Sequence, residues 1–165
     1  MLALPATPEQ VLAQVIVPGL ALLPSSCDAP QARVQLLANA LQEVGENGKL
    51  QTRQQNGGPA HGLWQNEEPV QALLLANPTS AELVRSVCKA RAVAPIASDM
   101  YWAVLKDDLF ACAIARLILL CDPHALPELG DVDDAWVCYQ KNWGPGRPRR
   151  ETWPSNYAEA MNAVR

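Results

Sequence analysis

The chain has 165 residues, 49% hydrophobic and 18% charged, which fits one domain with a sizeable core and excludes a disordered segment. A formal net charge of -4 gives no overall attraction for nucleic acid, and no nucleic-acid partner is expected. Ala and Leu dominate and β-branched residues are sparse, so the expected fold class is mainly α.

Thr7-Pro8-Glu9-Gln10 has the form of a capping box with proline at the first helical position. It predicts a helix from Pro8 to Val17 that stops at Pro18-Gly19. Residues 1–27 read as an N-terminal helical extension of a single domain covering 1–165. Pro24-Ser25-Ser26 is a linker, and Asp28 is placed to cap a helix from Pro30 to Val44. In that helix Val34, Leu37, Ala38 and Leu41 recur with the helical period, and Gly45 is placed to end it.

From Gly45 to Gly62 the chain has no clear period and is rich in Asn, Gln and Gly. A loop of this length inside a compact domain is usually functional, and it has room for a short β-hairpin. Glu67 and Glu68 could supply a second carboxylate, and fit better a solvated turn before Pro69. Helices are then expected from Pro78-Thr79-Ser80 to Ala92, from Ile96 to Leu105 and from Leu109 to Leu120. The last of these has Asp107-Asp108 at its start and is apolar on most of its circumference, which marks it as central. Val132 to Asn142 and Trp153 or Pro154 to Val164 complete a single domain of about seven helices.

The five cysteines are widely spaced and odd in number, so free buried thiols are expected. MLALPATPEQ lacks the basic region of a signal peptide, which predicts synthesis in a cytoplasm without a leader. Gln14 and Pro18 interrupt the apolar run Val11 to Leu23. Phe110 to Cys121 carries Arg116 and is too short for a bilayer, so no membrane span is expected. His61 and His124 stand apart from any Cys or Asp cluster, and neither a metal nor a cofactor is expected.

Chemistry concentrates around Glu43. A carboxyl in the last turn of an apolar helix meets the negative end of the helix dipole and partial burial, and both disfavour ionisation. A carboxyl held protonated suits a general acid; the same position also suits an ordinary solvated Glu. Trp64 fits either a flat face for a sugar ring or a core residue. Gln65 can bond hydroxyl or N-acetyl groups. His61 fits either a substrate contact or a surface residue beside Gly62.

Leu41-Gln42-Glu43-Val44, the loop, and Gly62-Leu63-Trp64-Gln65 together resemble the lysozyme-like superfamily, in particular soluble lytic transglycosylases, goose-type lysozymes and their small phage-encoded members. That family has a catalytic Glu at the end of an apolar helix, usually followed by Ser, and then a Gly-Leu-Met-Gln turn; Val44 and Trp64 depart from that pattern. Val137 to Gly146 is a loose echo of the family's Ala-Tyr-Asn-Ala-Gly segment, and Ser155-Asn156-Tyr157 is similar to its later Asn-Tyr.

The resemblance implies a lysozyme-like fold that cleaves peptidoglycan, with Glu43 as general acid. Gln65, Trp64, His61, Tyr139 and Tyr157 would bind substrate, with a tyrosine hydroxyl orienting Glu43. A phage-encoded, virion-associated muramidase is one implied role. A non-catalytic virion protein is the other, docking on phage virion or tail proteins through Trp136, Trp143, Trp153 and the basic stretch from Lys141 to Arg150.

Overall fold

The computed structural model describes every residue except Pro145 and Arg147. Among the described residues the chain is mainly helical, with one two-stranded antiparallel sheet. Helices α1 (Pro8–Val11), α2 (Val17–Leu20), α3 (Pro30–Val44), α4 (Glu68–Ala76), α5 (Ala81–Ala90), α6 (Ala97–Lys106), α7 (Asp108–Leu120), α8 (Val132–Trp143) and α9 (Trp153–Val164) follow in order, and strands β1 (Gly45–Glu46) and β2 (Lys49–Leu50) lie after α3.

The expected capping box forms: the Thr7 side chain accepts from the Gln10 amide and the Gln10 side chain accepts from the Thr7 amide. Pro18-Gly19 does not stop the helix. A π-helical turn, Leu12–Ile16, joins α1 to α2, with the Val17 amide donating to the Leu12 carbonyl. The wider turn makes room for the ring of Pro18, which has no amide to offer. Gly19 is instead a crossing point: a Cβ there would meet the Cys112 Cβ of α7 at 2.6 Å.

Helix α7 is central, as its apolar circumference predicts. It packs against α2, the π turn, α3, α5 and α6, and every residue from Phe110 to Leu117 is buried. Asp107 caps it by accepting from the Leu109 and Phe110 amides. Asp28 does not cap α3; it pairs with Arg33 through two hydrogen bonds, 2.6 and 2.7 Å. Helix α3 is buried on almost all sides and packs most extensively along α9. Helix α3 ends where the backbone turns extended at Gly45, and only glycine fits there: a Cβ would sit 2.3 Å from the Leu41 carbonyl oxygen.

Helix α4 has no counterpart among the sequence expectations. Pro69 lies in its first turn, where a missing amide is harmless, so the residue read as the end of a turn opens a helix. The hairpin after α3 turns through Asn47 and Gly48, both with positive φ, the backbone that a two-residue hairpin requires. Leu50 also exchanges backbone hydrogen bonds with Ala6. Further on, Arg53 donates to Asp108 through Nε (2.6 Å) and Nη2 (2.7 Å), and the Leu2 amide donates to the same carboxylate at 2.7 Å. A buried ion pair thus fastens the loop and the N-terminus to the start of α7.

The five cysteines are unpaired; Cys27, Cys88 and Cys112 are buried, Cys121 and Cys138 half-buried. Among the described residues no helix is long and apolar enough to cross a membrane.

Candidate active site

The last turn of α3, the loop after β2 and the C-terminal end of α8 enclose a cleft of about 610 Å³. Glu43, Gln55, Gln65, Tyr139, Trp143 and Arg149 are among its lining residues. The apolar register of α3 turns Leu41 and Val44 into the core and leaves Glu43 half-buried at the cleft wall.

The Tyr139 hydroxyl donates to Glu43 Oε1 at 2.6 Å, joining positions 96 residues apart. Burial pushes the Glu43 carboxyl above its ordinary range, against the opposing pull of the Tyr139 hydrogen bond and of the Arg149 guanidinium. Burial and the neighbouring Glu43 charge push the Tyr139 hydroxyl up as well, so it stays protonated and remains the donor of the pair. With Tyr139 on Oε1, a proton on Glu43 belongs on the other oxygen. No described residue bonds that second oxygen.

Tyr139 is held by aromatic packing. Its ring stacks on Trp153 at 5.2 Å between centroids and lies 5.3 Å from Trp136. Trp143 also stacks on it at 6.5 Å, and the Trp143 indole donates to the Trp64 carbonyl at 2.8 Å. The tryptophans of the C-terminal segment are therefore packing residues: Trp153 and Trp136 are buried and Trp143 half-buried. They do not form the exposed docking face that the sequence suggested. Of the basic stretch, Arg147 lies outside the described residues, as does Pro145 of the segment Val137 to Gly146.

The proposed substrate residues divide. Gln65 and Tyr139 lie in the cleft with Glu43, and Trp64, His61 and Tyr157 do not. Trp64 is fully buried and its indole donates to the Leu36 carbonyl at 2.8 Å, so its ring serves the core and presents no face to a sugar. His61 is buried, its ring stacked on Tyr101 at 4.1 Å and its Nε2 3.2 Å from the Gln54 amide. Tyr157 is buried beside Trp153, and its hydroxyl accepts from the Gly130 amide at 3.0 Å. Gln65 lines the cleft, yet its side-chain amide donates to the Gly62 and Arg53 carbonyls. Both amide protons thus shape the loop, and Oε1, 3.4 Å from the Gln55 amide, is the atom left to accept from a substrate hydroxyl.

Gln42, Gln55, Asn156 and Arg149 were not legible as site residues. Gln42 Oε1 accepts from Thr152 at 3.1 Å and Asn156 at 2.9 Å, and Gln42 Nε2 donates to the Arg149 carbonyl at 2.9 Å. These bonds tie the chain after α8, and α9, to the turn that carries Glu43. Of the pair Asn156-Tyr157, the asparagine is therefore the one that reaches the site. The Gln55 side chain donates to the Glu43 carbonyl. The signals in the sequence were the cluster of cations around Arg149 and the Asn156-Tyr157 pair.

Glu67 lies on the exposed rim of the cleft, at the N-cap of α4, so the buried wall holds a single acid. Among the described residues no group of three or more His, Cys, Asp or Glu side chains is placed to hold a metal ion. No known family, curated protein or solved structure gives a significant match to this chain.

Proposed function

We propose that the chain is a glycan-cleaving enzyme of lysozyme-like fold, acting on the bond between N-acetylmuramic acid and N-acetylglucosamine, with Glu43 as general acid. The observation that carries this reading is the Glu43–Tyr139 pair: a partly buried carboxyl, raised toward its protonated form, bonded on one oxygen and without a partner among the described residues on the other, in the wall of an open cleft. A glycosidic oxygen needs a proton as its bond to the anomeric carbon breaks, and a carboxyl whose protonated form is favoured by burial can supply one.

Glu43 protonates the leaving oxygen from its free carboxyl oxygen while Tyr139 donates to the other, and the carboxylate that results is stabilised by the hydrogen bond already present. The two-acid scheme needs a second carboxylate beside the sugar, and the cleft offers only Glu67 at its rim. A one-acid route suits the site better. The substrate's N-acetyl oxygen bonds the anomeric carbon as the protonated leaving group departs. The 6-hydroxyl of the same sugar then displaces that oxygen, giving its proton to the Glu43 carboxylate and closing a 1,6-anhydro sugar. A hydrolytic variant uses water in place of that hydroxyl, with the same proton return.

Delivery by a phage particle would bring such an enzyme to the cell wall, and belongs to the same proposal. The alternative role, a virion protein that keeps the fold without the activity, would dock through Trp143 and the exposed cations of the basic stretch, since Trp136 and Trp153 are buried.

The test is digestion of peptidoglycan by the wild type and by Glu43→Gln, with products read by mass spectrometry. Anhydro-muropeptides from the wild type alone support a transglycosylase, and reducing-end products from the wild type alone support a hydrolase. Equal activity in both proteins removes Glu43 from the chemistry, and no product from the folded wild type on several wall types removes the enzyme reading.

A further inference from the structure

Resting on the glycan-cleaving reading, we propose that Arg149 is an anion subsite of the cleft, seating a carboxylate of an acidic glycan beside Glu43. The charged side chains lining the cleft are Glu43, Glu67 and Arg149 among the described residues. The whole chain carries a net charge of -4, so its long-range field does not attract an anionic polymer. Recognition of an acidic substrate must then be local, and Arg149 is the cation the cleft wall provides.

Its placement is fixed from both ends. The Arg149 carbonyl accepts from Gln42 Nε2 at 2.9 Å and from the Thr152 hydroxyl at 3.0 Å, and its guanidinium donates through Nη2 to the Gln42 carbonyl. One edge of the guanidinium is thereby held against the last turn of α3. Its other N–H groups have no acceptor among the described residues. Four other arginines are used differently: Arg33, Arg53, Arg91 and Arg150 each pair with an aspartate of the chain. Arg149 is exposed, faces the cleft and pairs with no described carboxylate. A planar guanidinium with a free edge matches a carboxylate in two parallel hydrogen bonds.

The ligand class follows. An alternating glycan whose muramic units carry carboxylates, on the lactyl group itself or on an attached peptide, presents such a group near the bond to be cut; a glycan of N-acetylglucosamine alone does not. Seating it also acts on the acid. The groups facing Glu43 are Tyr139 from α8, Glu67 from the start of α4 and Arg149. Neutralising Arg149 removes the positive charge that favours an ionised Glu43, so an acidic substrate prepares its own proton donor.

Calorimetry on the full-length Glu43→Gln protein measures binding without turnover. The probes are an N-acetylglucosamine tetramer, a peptide-free alternating tetramer with lactyl carboxylates, and the same tetramer bearing stem peptides. One or both acidic probes are expected to bind about tenfold or more tighter than the neutral one, the scale of a charge-assisted hydrogen-bond pair. Which acidic probe gains identifies the carboxylate as lactyl or peptide. Adding Arg149→Gln removes the gap, while Arg149→Lys keeps part of it. Equal binding of all three probes overturns the subsite and leaves the glycan cleft standing, as does a gap that survives Arg149→Gln in a protein folded by circular dichroism. Failure of every probe to bind overturns the glycan reading and the subsite with it.

Discussion

Replacing Tyr139 with Phe removes one oxygen and leaves the ring among Trp136, Trp143 and Trp153, so the packing at 5.2 to 5.3 Å from Trp153 and Trp136 survives. What is lost is the 2.6 Å hydrogen bond to Glu43. Against an ionised carboxylate such a bond is worth roughly 1.5–3 kcal/mol, and against a neutral carboxyl roughly 0.5–1.5 kcal/mol. The sign follows from linkage. The folded state raises the Glu43 pKa, so the stabilising contribution of the protonated group is complete at acid pH and is lost as pH rises through the folded value. The Tyr139 bond limits that loss, and its removal raises the carboxyl further. Tyr139→Phe therefore destabilises modestly at about pH 4 and by about 1 kcal/mol more at about pH 8. Urea unfolding at the two pH values measures the difference. If Glu43 is the acid, the alkaline limb of the rate profile moves up in the same variant, because the acid holds its proton to higher pH. A destabilisation equal at both pH values, or an alkaline limb that moves down, would refute the account of this pair.

Two further predictions test the frame around the cleft. Trp64→Ala costs about 3–5 kcal/mol in stability, as expected for a large buried ring. Trp64→Phe, which keeps most of the volume and loses the bond to the Leu36 carbonyl, costs about 1–2 kcal/mol with little change in glycan binding; a stable Trp64→Phe protein that no longer binds glycan would put the ring in the cleft instead. Arg53→Met strands the Asp108 carboxylate, whose side chain is 2% exposed, and destabilises by about 3–5 kcal/mol. Adding Asp108→Leu restores part of that in urea titration, and a double variant weaker than Arg53→Met alone would show that the ion pair is not what fastens the loop.

The helices were largely legible because their signals are local. Thr7 and Gln10 cap each other three residues apart, and a circumference from Leu109 to Leu120 that is apolar apart from Arg116 fits the centre of the fold. Local rules failed where a tertiary contact decided. Pro18 lies within a helix because a π turn widens the backbone ahead of it, and Gly19 is needed for a helix crossing rather than for a stop. Glu67 and Glu68 before Pro69 have the composition of a solvated turn, although proline there also opens a helix, and the sequence Val70 to Ala76 packs against α5 and α6.

For the site, residue type and position identify Glu43 but not its surroundings. A carboxylate in the last turn of an apolar helix is a local pattern, and so is a raised pKa once that helix is buried. Trp64 shows the limit of the same reasoning: an indole can face a sugar or fill a core, and only the Leu36 carbonyl in reach of its N–H decides for the core. Arg149 shows the opposite case. Within its basic stretch it resembled the other cations, and Arg150, next in sequence, pairs with Asp133 and lies over the Trp136 ring. The difference between them comes from Gln42, 107 residues away, whose side chain holds the Arg149 backbone while its carbonyl takes one edge of the guanidinium. A residue that locates the acid in the chain is thus adjacent to one that locates the base of the cleft: Gln42 and Glu43 are consecutive, one turned to the chain after α8 and one to Tyr139. The position of the carboxyl and the charge beside it are set by the same turn of helix, so a change at Gln42 that frees Arg149 moves both together.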